Sequence, residues 1–186
     1  AADLKNLGYS NEEFVDFYKK TMDYVIEINK KWTYFKEIYS LIFLSKILSE
    51  YDPNFLDTRS PCGAWIGQIA YNYDGNIYTC DEWRMLARMW VDEFKVADLA
   101  DWWLETYKNV INSPITKALT TASTTDTLPG YDEDPYKPFL WVCPIYNYKT
   151  EWNIFPNYSL NEKRKIDTQI LDYLFEKLKD EKNKQI

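Results

Sequence analysis

A chain of 186 residues is long enough for one domain, or for one and a small appendage, with a substantial buried core. Its 29 acidic and 22 basic residues give a net charge of −7, which argues against a nucleic-acid backbone or an anionic membrane as partner. The longest apolar run, YSLIFLSKIL, is interrupted by Lys46, so no transmembrane span is expected, and no basic-plus-apolar signal segment opens the chain. Three cysteines, an odd number, make no disulfide framework, and a reducing cytoplasm is the expected setting.

Ser10 and Glu13 form a capping box ahead of a first helix. Phe14, Phe17, Tyr18, Met22, Val25, Ile26 and Ile28 give that helix an apolar stripe. A second helix is expected over 34–50, ending before Asp52-Pro53. Over 66–80 the period changes. Ile69, Tyr71 and Tyr73 alternate up to Asp74-Gly75, and Ile77-Tyr78 follow. This predicts a β-hairpin in which 67–73 pair with 76–80 across a two-residue turn, setting Ile69 opposite Cys80. Further helices are expected at 82–90, 98–112 and 114–122. Residues 123–138, rich in Ser, Thr, Asp and Pro, read as a mobile loop. Ser159 with Glu162 predicts the start of a last helix that frays into a charged tail. The fold class is α+β, small hairpins surrounded by helices.

Cysteine spacing by itself is a weak metal signal. Free cysteine is most often a small buried hydrophobe. There is no C-x2-C pair, and with 0 His a Cys/His zinc site is excluded. The words around the cysteines are more specific: SPCGAWIGQIAYNYDGNIYTCDEWRM contains Cys62 and Cys80, and PYKPFLWVCPIYNY contains Cys143. The arrangement of Cys62, Gly75 and Cys80 resembles the opening of the SPASM domain, the auxiliary-cluster module of peptide-modifying radical SAM enzymes. NYDGNIYTCDE and VCPIYNY resemble the maturase of the His-Xaa-Ser system, with interruptions over most of 8–178.

The resemblance implies a helical lead-in over 1–58 and a degenerate SPASM-like domain over 59–186. Cys62 and Cys80 match the family's opening cysteine pair, and Cys143 the last of its group of four. All three belong to one auxiliary cluster, so one three-cysteine [4Fe–4S] site is implied. Asp81 is the nearest candidate for a fourth ligand. Its other reading is a carboxylate placed at a helix N-terminus. The cysteines can also stay empty, or Cys62 and Cys80 can oxidise to a disulfide. Positions matching the second cluster are Tyr131, Asp134, Leu140 and Arg164, and neither leucine nor arginine can ligate one. Arg164 is expected to reach solvent or pair with Asp134. The C-x3-C-x2-C of a radical SAM core is absent, so this segment is expected to bind no S-adenosylmethionine and to contain no catalytic residue.

Tryptophan stands where the family's words have glycine: CGAW for CGAG, DEWRM for DEGRM, FLWVCP for CGVCP. Trp32, Trp90 and Trp152 follow the same rule beside Trp65, Trp83 and Trp141. The chain has 5 Gly where average usage near 7% gives about 13. Two explanations stand: a gene whose UGA codons mean glycine, or drift in which the indoles fill space left by lost clusters.

Three functions follow as expectations. The first is a SPASM-like part of a peptide maturase, positioning a precursor peptide or docking a maturation-system protein, with one iron–sulfur cluster on Cys62, Cys80 and Cys143. The second is a cluster-free interaction module descended from it, anchored by aromatics. The third is a structural zinc site of three cysteines and a carboxylate. Iron and sulfide content discriminates among them.

Overall fold

The computed structural model describes residues 8–31, 34–56, 58–99 and 102–180. The chain is α+β, helix-rich with one small antiparallel sheet. It divides into two compact units, Ala1–Pro53 with Asn161–Ile186, and Asn54–Leu160. No helix among the described residues is long and apolar enough to cross a membrane.

The first unit is built on three helices: α1 (Asn11–Lys30), α2 (Ile38–Leu48) and, from the far end of the sequence, α7 (Glu162–Leu178). The Ser10–Glu13 capping box opens α1, each partner satisfying a backbone N–H that has no acceptor within the helix. Val15, Tyr18, Met22 and Val25 recur along one face and are buried. Glu37 caps α2, its carboxylate accepting from Tyr39 N and Ser40 N. Helices α1 and α2 both pack on α7, whose Ile170, Leu171 and Leu174 are buried. Two polar links cross this core: the Tyr18 and Ser40 hydroxyls lie 2.5 Å apart, and Tyr39 donates to Asp167 Oδ1 at 2.5 Å.

One expectation changes here. The last helix is capped by Asn161, not Ser159, because the Asn161 side chain accepts from Arg164 N while Ser159 N is turned to Asn157. The helix groups with the N-terminal helices in the first unit. The apolar face of α7 needs a wall, and α1 and α2 supply it.

In the second unit, β1 (Ala70–Tyr71), β2 (Asn76–Tyr78) and β3 (Ala97–Asp98) form a sheet in that order. The hairpin forms, but in a register shifted by one residue. Ala70 faces Tyr78 and Tyr71 faces Ile77, and Asn72 N donates to Asn76 O. The turn therefore holds Tyr73, Asp74 and Gly75, with Gly75 N donating to Asn72 O and Gly75 at φ 84°. A type I turn closed by a left-handed glycine is the usual three-residue hairpin, and Asp74 stabilises it by accepting from Asn76 N. Because side chains alternate, one residue of slip exchanges the faces. Ile69 thus does not oppose Cys80.

Strand β3 departs from the expected helix over 98–112. Val96 N donates to Ile77 O and Leu99 N to Gly75 O, which satisfies the open edge of β2. Helix α4 starts later, at Trp103–Asn112, after α3 (Asp81–Ala87); α5 (Pro114–Ser123) and α6 (Pro144–Glu151) follow. Adjacent residues of β2 feed two cores. Ile77 joins Val96, Ala97 and Val110, while Tyr78 joins Cys80, Trp83, Leu119 and Ile145.

Residues 123–138 carry largely irregular backbone, as their composition implies. They form a chain of turns that includes 3-10 turns at Thr125–Thr127 and Lys137–Phe139. Leu128, Tyr131 and Asp134 recur at the three-residue period of such turns and are all buried. Composition marked irregular backbone correctly, but irregular backbone here is packed backbone.

Candidate functional site: a three-cysteine cavity

Three separate stretches of chain bring the cysteines to one place. Cys62 follows the cis peptide Ser60-Pro61, and this segment is tied to the end of α5. Cys62 N donates to Ser123 Oγ at 3.1 Å, and Thr125 N donates to Ser60 Oγ at 2.9 Å. Cys80 leaves the hairpin and is the N-cap of α3. Cys143 is the N-cap of α6, with Pro144 at its first helical position, where a missing N–H costs nothing. All three line a cavity of about 30 Å³ together with Trp65, Thr79 and Trp83. The Thr79 hydroxyl, fully buried, finds no hydrogen-bond partner among the described residues.

Cys80 meets backbone N–H groups at the start of α3, which favour a thiolate. At Cys80 burial outweighs them. It pushes the thiol well above the ordinary cysteine range; the N–H groups of Trp83 and Glu82 pull it down, and the Glu82 carboxylate pushes it further up. Any metal must therefore displace a proton there, and uptake rises with pH. Cys80 is accordingly expected to resist alkylation by iodoacetamide at pH 8 in the folded chain and to react on unfolding. Labelling of Cys80 as fast as Cys62 in the native state would contradict this electrostatic picture.

The family-implied cluster can be tested against this geometry. The donor chemistry suits it: three cysteines and an unpartnered hydroxyl share one cavity. The space does not. About 30 Å³ accommodates one or two waters, far less than four irons with four sulfides. Among the described residues, no group of three or more His, Cys, Asp or Glu side chains is arranged to hold a metal ion. Indoles occupy the walls. Trp65 donates from Nε1 to Thr120 Oγ1 at 2.7 Å, and Trp83 lies 3.7 Å from Phe94, ring centroid to centroid. As the chain stands, room for a [4Fe–4S] cluster would require these indoles to move aside.

Asp81 does not line the cavity. Its carboxylate accepts from Arg84 Nε at 2.9 Å and Nη2 at 2.5 Å, one turn along α3, in keeping with its reading as a helix-start carboxylate. Of the four positions matched to the second cluster, Tyr131, Asp134 and Leu140 are buried in the second unit, whereas Arg164 belongs to the first. Asp134 accepts from Tyr136 N at 2.8 Å and from the Tyr158 hydroxyl at 2.8 Å. Tyr131 meets Tyr158 edge to face at 5.2 Å. Sequence reasoning singles out neither Ser123 nor Thr79 for this site. Nothing local marks them, because α5 reaches Cys62 only through the fold.

No family model matches the chain, and no curated protein or solved structure matches it.

Proposed function

We propose that this chain is a SPASM-like segment of a peptide-modifying radical SAM maturase. In this reading Cys62, Cys80 and Cys143 are the ligand set of one auxiliary iron–sulfur site, and Trp65 holds that site closed. The supporting observation is that three cysteines, 18 and 63 residues apart in sequence (80 − 62 and 143 − 80), line one cavity. The chain contributes no catalytic residue; its task is to position a precursor peptide or a maturation-system protein. Exposed Tyr71, Tyr73, Trp102 and Trp103 are anchors of the type enriched at interfaces. A cytoplasmic location accords with an odd number of cysteines that makes no disulfide framework.

Anaerobic reconstitution with iron and sulfide tests the reading. The chain as it stands should take up little of either. Trp65→Gly should bind both with a broad visible absorption, and adding Cys143→Ser should abolish it. Should Trp65→Gly remain free of iron and sulfide, the cluster-free interaction module is the better account. Zinc uptake without sulfide would favour the structural zinc site instead.

A further inference from the structure

Among the described residues, four that are not glycine have positive φ: Asn54, Trp65, Trp90 and Trp152. Asparagine tolerates this region, but for a bulky L-residue it costs about as much as a weak core contact. Positive φ occurs at a few per cent of non-glycine residues, so three instances among seven described tryptophans are expected by chance in on the order of one chain in a thousand.

Each position has a local structure that calls for glycine. After α3, Trp90 N donates to Ala87 O and Val91 N to Leu86 O. This pair of bonds is the Schellman motif, and Trp90, at φ 67°, is its C′ residue. After α6, Trp152 N donates to Tyr148 O with Trp152 at φ 55° and ψ 27°, the simpler left-handed C-cap. Trp65, at φ 65°, turns the chain so that its one N–H meets both Gln68 O and Thr79 O. Nor are the outer two indoles buried: Trp90 is 96% exposed, and Trp152, whose edge-to-face contact with Tyr148 is at 5.5 Å, is 75% exposed.

We infer that positions 65, 90 and 152 are glycine positions, and that the gene carries UGA there, decoded as glycine in its own cell. A single cause at the codon level accounts for the intruder being tryptophan every time. Drift to fill vacated space does not account for two indoles standing in solvent. Trp83 and Trp141 are buried and have no positive φ, so the backbone makes no such demand there; Trp32 lies outside the described residues. A consequence for the cysteine cavity, which rests on the function proposed above, is that glycine in place of Trp65 takes the indole out of its wall.

The gene's codons and the mass of the protein from its source are the test. UGA at 65, 90 and 152, UGG at 102 and 103, and peptide masses with glycine at the three positions are expected. UGG at any of the three, or masses with tryptophan, would overturn the inference. A recombinant Trp90→Gly/Trp152→Gly variant should melt about 5–15 °C higher than the chain with tryptophan, while Trp103→Gly shows no gain. A lower melting temperature for the double variant would refute glycine geometry at these caps. None of these readouts depends on iron, so the cluster reading and this one can fail separately.

Discussion

Trp83→Ala is expected to lower the unfolding free energy by about 3–5 kcal/mol, the range for deleting a large aromatic from a core. Trp83 is 2% exposed on α3, its ring centroid 3.7 Å from Phe94 and 5.7 Å from Tyr148, which itself meets Phe94 edge to face at 4.7 Å. Truncation leaves a cavity bounded by two rigid rings and by Leu86, Leu119 and Ile145, which cannot close over it without moving β2. Urea denaturation should show an earlier midpoint at an unchanged slope. A loss below about 1 kcal/mol would mean that the cluster of rings relaxes freely, and the aromatic core would then be overstated. At 90 and 152 the same residue type has the opposite expected sign. At 83 the backbone is helical and the ring buried, while at the caps the backbone is left-handed and the ring exposed.

Asp167→Ala should destabilise by about 2–4 kcal/mol. Asp167 is 1% exposed on α7, accepts from the Tyr39 hydroxyl at 2.5 Å and pairs with Lys163 at 2.7 Å. Removing the carboxylate takes away the strongest acceptor of both the Tyr39 hydroxyl and the Lys163 ammonium, which keep their contact with each other at 3.3 Å. The loss stays below the extreme for a buried pair because Lys163 retains 25% side-chain exposure and can turn to water. Burial pushes the Asp167 carboxyl above its ordinary range, against the pull of Lys163. The folded state therefore binds this proton more tightly than the unfolded state. Stability from this group falls as pH rises from the unfolded carboxyl's pKa, about 4, to the higher folded value, and does not return above it. Asp167→Asn removes that slope. Unfolding free energies of both forms across pH 4–8 should thus show the difference narrowing or reversing toward high pH. A wild-type advantage that grows with pH would reverse the assignment.

Local chemistry was the most legible layer. The Ser10–Glu13 capping box needs only residues three apart, so the start of α1 could be read from the chain. Asp74-Gly75 announced a hairpin, since Gly75 supplies the left-handed turn residue. The number of turn residues was not legible. Two- and three-residue loops share this dipeptide, and the choice came from Asn72 pairing with Asn76 and from the pairing of β2 with β3. Residues 97–98 carry no strand pattern of their own; they are strand because β2 has an open edge there.

The cysteines divide in the same way. Which residues carry thiols, that no histidine stands beside them, and that tryptophan occupies words expected to hold glycine are properties of the sequence. Such statements need no partner from elsewhere in the chain. That Cys62, Cys80 and Cys143 share a cavity, that Trp65 and Trp83 wall it, and that burial keeps Cys80 protonated all required the fold. Each depends on α5, α6 and the hairpin meeting across tens of residues, and volume and desolvation exist only once they have met. Backbone angles join the two layers. Tryptophan at 65, 90 and 152 was visible in the sequence, but only the positive φ at those three residues showed which indoles oppose their own backbone, because φ is set by the turn the surrounding structure imposes.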